Sequence, residues 1–192
     1  IILSSLSLTA ILIVINVIVF IIFLILLVFF RNNPEFLYNY LALKPSNIIQ
    51  GKYLWTFITS MFAHAGFEHL FFNMISLFFI GTFVERIIGR KRYLWFYVIS
   101  GLVAGIFFVF LAYFFGNGEL TMKILGNPEN FGVGASGAIF GLAGLLAVLI
   151  PYKKVYLIAG PLIAIVIQAL LNTFYSSNSF MSIVNILITL YI

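Results

Sequence analysis

A serine stands between glycines at the start of a long apolar run. The segment VGASGAIFG (residues 133–141) places Ser136 two residues after Gly134 and directly before Gly137. A small hydroxyl at such a position is suited to nucleophilic chemistry, provided that a base and oxyanion donors are nearby. Packing is the alternative interpretation, because Gly137 and Gly141 have the G-x-x-x-G spacing of closely packed membrane helices. The segment also departs from the G-x-S-x-G elbow, since alanine replaces its second glycine.

A second polar cluster lies in HAGFEHLFFNM (residues 64–74), which contains His64, His69 and Asn73. His69 and Asn73 are four residues apart, so they share one face of a helix. Polar side chains at membrane depth are costly and usually face the protein interior or water. We therefore expect His69, Asn73 and the backbone N–H of Ser136 to face a developing oxyanion. An interhelical hydrogen bond is the simpler alternative for the His–Asn pair.

Composition indicates the environment in which these residues work. The 192 residues are 64% hydrophobic and only 8% charged, whereas soluble domains carry roughly 25% charged residues. The composition predicts a protein embedded in a lipid bilayer. The absence of cysteine excludes disulfides and thiolate metal sites, and two histidines are few for a histidine-rich metal site. No metal or cofactor is expected.

Apolar runs of membrane-spanning length define the expected fold. A spanning helix needs about 20 mostly apolar residues, and the runs lack the alternation of barrel strands. Only helices and closed barrels satisfy their backbone in lipid, so we predict an all-α, polytopic membrane protein built as a six-helix transmembrane bundle. The predicted spans are 8–30, 70–88, 93–115, 136–150, 155–175 and a last one from about 180 that is cut off at 192.

The loop charges predict the orientation of the bundle. The loops after the second and fourth helices hold six basic residues and one acidic residue, whereas basic and acidic residues balance on the other side. Cytoplasmic loops carry the excess of Lys and Arg, so we expect a cytoplasmic N-terminus and a site opening to the outer side. The charge excess thus reports topology, and nucleic acid is not an expected partner. The aromatic-rich outer loop, about 31–67, is predicted to lie in the membrane interface.

Three segments resemble the rhomboid family of intramembrane serine proteases. They are GKYLWTFITSMFAHAGFEHLFFNM, GTFVERIIGRKRYLWFYVISG and GVGASGAIFGLAG, and together they cover about residues 51–150. The combination of H-x4-H-x3-N with G-A-S-G, each in the appropriate helix, carries the resemblance. It implies one rhomboid-like membrane domain over 1–192, no cofactor, and substrates that are membrane proteins cut in or near their transmembrane segments.

The resemblance also implies roles for individual residues. Ser136 matches the nucleophile, and Gly134 belongs to the loop that presents it. His69 and Asn73 match the residues that help to form the oxyanion site, and His64 matches a supporting histidine near the loop.

One departure from the family pattern bears on activity. The family's general base is a histidine in the sixth helix, but the corresponding segment SFMSIVNILITLYI has none, and Ile188 stands near that position. Either the sequence is truncated or the protein is an inactive relative that binds transmembrane clients. We expect truncation, because the sequence begins with Ile and stops within an apolar run. His64 as a substitute base is less supported. The resemblance further implies a structural Glu85–Arg86 pair at the cytosolic turn.

A small transporter or channel is a third function to weigh. Gln168, Asn172 and Asn185 could line a path through the bilayer. However, there is no intramembrane series of acidic and basic residues, and the polar groups cluster at one end. The sequence therefore favours the endopeptidase first and the inactive, client-binding relative second.

Overall fold

The computed structural model of the chain describes residues 7–116 and 126–150, and every regular element within them is helical. Three of these helical segments are long and apolar enough to cross a membrane: Leu8–Phe29, Phe67–Ile88 and Arg90–Phe115. The helices are α1 (Leu8–Phe29), α2 (Pro34–Leu41), α3 (Pro45–Ile49), α4 (Thr56–Thr59), α5 (Phe67–Ser76), α6 (Thr82–Ile88), α7 (Arg90–Phe115) and α8 (Ser136–Leu149).

The first four predicted spans each correspond to a helix, but two predicted starts were late. The second span begins at Phe67, after Gly66 in extended conformation, rather than at 70. The third begins at Arg90 rather than at 93. Its first residues are charged, so the helix continues beyond the apolar run from which the span was predicted. The predicted fifth and sixth spans lie outside the described residues. So do the three polar side chains considered for a transport path.

The start of α1 is capped by a carboxylate from the end of α6. Glu85 is buried, and it accepts hydrogen bonds from the backbone N–H groups of Leu8 (2.7 Å) and Thr9 (2.8 Å) and from the Thr9 hydroxyl (2.8 Å). A negative charge is favourable at a helix N-terminus. Glu85 also forms an ion pair with Arg90, at 3.9 Å, and the structural role of Glu85 and Arg86 at this turn stays a prediction. Arg86 is exposed, one residue along a helix whose successive side chains point in different directions.

A single π-helical turn, Leu77–Gly81, joins α5 to α6 within the second span. Such turns inside α-helices are rare and frequently occur at functional sites. Gly81 in this turn admits close neighbours, since a Cβ there would lie 2.6 Å from the Tyr93 hydroxyl and 3.0 Å from the Thr9 methyl. The π-turn therefore brings the second span against both α1 and α7.

Small residues pack α8 against α7. A Cβ on Gly137 would lie 2.5 Å from the Cβ of Ala104, and a Cβ on Gly141 would collide with the side chain of Ser100. Both glycines of the G-x-x-x-G segment therefore serve close helix contact, as the packing interpretation predicts. Their role does not account for Ser136, which precedes them.

The loop predicted to be on the outer side, about 31–67, is partly helical, because α2, α3 and α4 lie within it. Its aromatic side chains form a contiguous group: the Tyr40, Tyr53 and Trp55 ring centroids lie 5.2 to 5.8 Å apart. The indole N–H of Trp55 donates to the Tyr40 carbonyl at 3.0 Å, while half of the Trp55 surface stays exposed. Amphipathic rings of this kind favour the headgroup level, so the interfacial position remains our prediction for this loop.

Candidate active site

Residues 126–135 lead into α8, and we call this segment the strap. Backbone hydrogen bonds connect it to the loop 31–67. Leu43 and Gly132 exchange two backbone hydrogen bonds, of 2.9 and 2.8 Å, in an isolated antiparallel bridge. Farther along the strap, the N–H of Gly134 donates to the carbonyl of Ser60 at 2.8 Å. These contacts fix the path of the backbone immediately before Ser136.

Gly134 brings the strap into contact with the polar face of α5. Its φ angle is +119°, a conformation that residues with side chains rarely adopt. A Cβ at this position would lie 2.8 Å from both Cε1 and Nε2 of His69, and 3.7 Å from Nδ2 of Asn73. Glycine is therefore required here both for the backbone angle and for the approach of the imidazole. The structure thus brings together Gly134, His69 and Asn73, all three selected from the sequence.

Asn73 is fully buried in the middle of α5. Its amide nitrogen donates to the carbonyl of His69 at 2.8 Å, one helical turn earlier. A side-chain amide has two N–H donors, so a second remains on the nitrogen that lies near Gly134. Within the described residues, the Asn73 Oδ1 and the Ser76 hydroxyl are buried without a hydrogen-bond partner. Such groups are uncommon in native interiors, and here both lie on the helix that carries His69.

His64 lies in the turn before α5 and is buried. Its Nδ1 is 3.3 Å from the carbonyl of Phe62, and its Nε2 has no partner in the part of the chain that the structure describes. Its ring meets that of His69 edge-on, with centroids 5.2 Å apart. Burial, together with the nearby charge of His69, lowers the pKa of His64 from 6.5 to about 4, against the opposing effect of the Phe62 hydrogen bond. His64 is therefore neutral at pH 7 and a weak base.

Ser136 is the first residue of α8 and is partly exposed. The preceding residue, Ala135, caps the helix without any side-chain hydrogen bond. The first amides of a helix have no partner inside it, and backbone N–H groups are the usual donors to an oxyanion. The N-terminus of α8 therefore offers backbone N–H donors close to Ser136, where an oxyanion formed by attack of its hydroxyl would need them.

Three residues near this cluster were not selected from the sequence. Ser60 supplies a carbonyl rather than its hydroxyl, and no local pattern marks a carbonyl acceptor. Lys44 looks like one more loop cation until its partners are known. Ser76 follows Asn73 by three residues on α5, and helical spacing alone could have identified it. Among the described residues no group of three or more metal-ligating side chains occurs.

The fold is that of a polytopic helical membrane protein, in which His69 and Asn73 lie beside Gly134, two residues before Ser136, and the ring of His64 meets that of His69. The Rhomboid domain profile matches residues 51–186. Because this match covers more than half of the 192 residues, the chain belongs to the rhomboid family.

Named proteases are among the similar proteins. The chain is 37% identical over 127 residues to Rhomboid protease GluP of Bacillus subtilis (65% of this chain, 22% of the relative). It is 38% identical over 93 residues to Rhomboid protease AarA of Providencia stuartii (46% and 32%). It is 35% identical over 105 residues to RHOMBOID-like protein 1 of Arabidopsis thaliana (55% and 23%). The chain thus spans less than a third of the length of each of these relatives in the alignments.

Proposed function

We propose that this rhomboid-family protein is an intramembrane serine endopeptidase with Ser136 as its nucleophile. The observation that carries the proposal is the contact of Gly134, two residues before Ser136, with His69 and Asn73. Glycine adopts this positive φ angle without strain, and its lack of a Cβ lets the backbone lie against the imidazole. It brings the backbone that leads to the serine beside two side chains that can donate hydrogen bonds.

The proposed reaction is attack of the Ser136 oxygen on a peptide carbonyl, followed by hydrolysis of the acyl-enzyme. His69, the remaining N–H of Asn73 and the backbone N–H of Ser136 would stabilise the oxyanion, and His64 would support His69 through their ring contact. The substrates would be transmembrane segments of other membrane proteins. A six-helix bundle forming one domain over 1–192, with the site opening to the outer side, completes the proposal.

The proposal requires a general base, and this makes an inactive, client-binding relative the second candidate. The two histidines of the 192 residues are both committed to the cluster described above. His64, with a pKa of about 4, would accept a proton from serine poorly at neutral pH. The test therefore uses the full-length protein encoded by the gene.

Labelling of the full-length protein in membranes with a fluorophosphonate separates the two candidates. We expect the wild type to be labelled at Ser136 and to cleave a transmembrane substrate, and Ser136→Ala to do neither while folding normally. The control is Ser100→Ala, which removes a hydroxyl from the α7–α8 contact and leaves the cluster intact. Binding of a transmembrane segment without labelling or cleavage would favour the inactive relative. Cleavage retained in Ser136→Ala would refute the nucleophile.

A further inference from the structure

The strap that leads to Ser136 is tied to the outer loop at points on both sides of Lys44. On one side of Lys44, Leu43 forms the backbone bridge to Gly132. On the other side, the N–H of Ser46 donates to the carbonyl of Pro128 at 3.0 Å. Two aromatic side chains also contact the strap: the ring of Phe108 lies against Gly132, and the ring of Tyr38 lies 5.5 Å from that of Phe131. A glycine-containing segment has much backbone freedom to lose, so backbone bonds alone hold it weakly.

Lys44 supplies side-chain contacts that the bridge lacks. Its Nζ lies 2.9 Å from Oε2 of Glu129 and 3.7 Å from Oε1 of Glu35. The same ammonium lies 5.2 Å from the centroid of the Phe131 ring. Two strap residues thus converge on one cation, which is also held from α2. The side chain of Lys44 is only 13% exposed, whereas those of Glu35 and Glu129 are 66% and 64% exposed, so solvent partly screens both ion pairs.

We propose that Lys44 is a positioning residue that holds the strap in register and thereby keeps Gly134 against His69. The inference deepens the proposed function and rests on it for the effect on Ser136 reactivity. The contacts act in sequence along the chain. Lys44 anchors residues 129 and 131, the bridge follows at Gly132, and Gly134 meets the imidazole two residues before Ser136.

The charges around Lys44 sharpen this inference. Glu35 on α2 and Glu129 on the strap both lie within 4 Å of the same ammonium. Without Lys44, these two carboxylates would lie close together with no cation between them. Like charges at such distances repel. The Lys44 hydrogen bond, with a further one from Ser46, also lowers the pKa of Glu129. Loss of Lys44 would therefore push the strap away from α2 as well as release it.

The test measures amide hydrogen exchange at Gly132 and Gly134 in the full-length protein, with Lys44→Met as the variant. Methionine keeps the apolar length and removes the charge. We expect exchange at both amides to accelerate by about tenfold, as local opening of a segment becomes easier, and fluorophosphonate labelling of Ser136 to slow. Lys44→Arg should keep both values near wild type, and the thermal midpoint should change little. The control is Lys52→Met. The ammonium of Lys52 is exposed and contacts only Gln50 among the described residues.

A second variant tests the repulsion. Glu35→Gln in the Lys44→Met background should return part of the exchange protection, because one of the two opposing carboxylates is then neutral. Unchanged exchange in Lys44→Met would overturn the positioning role, and so would accelerated exchange with an unaltered labelling rate. A wild type that is not labelled would contradict the proposed function instead, and the exchange comparison would still decide whether Lys44 holds the strap.

Discussion

Replacing Gly134 by alanine is the sharpest perturbation of the cluster, because one methyl group acts in two ways. The φ angle of +119° is strained for any L side chain, at a cost of about 1–3 kcal/mol. The added Cβ would also lie 2.8 Å from two atoms of the His69 ring. An alanine could relieve the backbone strain and the clash with the ring only if the strap or the imidazole moved.

The expected magnitude follows from these two effects. A cost of about 1–3 kcal/mol corresponds to a thermal midpoint lowered by roughly 2–12 °C for a chain of this size. A displacement of order 1 Å in a reacting group costs about 10²-fold in rate. We therefore expect Gly134→Ala to fold with a modestly lowered midpoint and to lose about two orders of magnitude in the rate of fluorophosphonate labelling at Ser136.

The matched control is Gly144→Ala on α8. A Cβ there would meet nothing within 4 Å, and alanine is the better helix former by about 1 kcal/mol. This variant should label at the wild-type rate with an equal or higher midpoint. The measurements are the labelling time course and a thermal melt in the same detergent. Wild-type labelling by Gly134→Ala would refute the argument that the strap must touch His69.

Three further predictions concern the cap, the buried histidine and the topology. Glu85→Ala should lower the free energy of unfolding by about 1–2 kcal/mol through loss of the α1 cap, whereas Arg86→Ala should leave it within about 0.5 kcal/mol of wild type; equal melts would refute the cap. Because the pKa of His64 is about 4 in the folded protein and 6.5 ordinarily, stability present above pH 6.5 should fall as the pH drops towards 4, by up to about 3 kcal/mol. Melts of His64→Gln across this range should lack that component, and an identical pH profile would contradict it. Single cysteines at Lys91 and Lys52 should be labelled by an impermeant reagent from the cytoplasmic and outer sides respectively, and the reverse pattern would overturn the orientation.

Hydropathy located the described spans because lipid leaves a helix little alternative. A run of about 20 apolar residues must satisfy its backbone internally, and α1, α7 and the Phe67–Ile88 span follow that requirement. The helix starts were predicted less well, because they follow Gly66 and Gly89, which lie outside the apolar runs that hydropathy detects. The spacing of apolar residues in the sequence does not predict the π-turn within the second span.

The sequence by itself determined that a serine, a histidine and an asparagine stand in apolar helices, where unpaired polar groups are costly in lipid, and that a second histidine lies close before one of these helices. It also determined the shared face of His69 and Asn73, because helical spacing alone sets it. Only the tertiary structure decided that Gly134 meets His69, that Lys44 contacts Glu129 and Phe131 of the strap, and that Glu85 caps α1. The Glu85 contacts join residues 76 and 77 positions apart. Such contacts depend on how helices pack in three dimensions, and local residue patterns do not encode them.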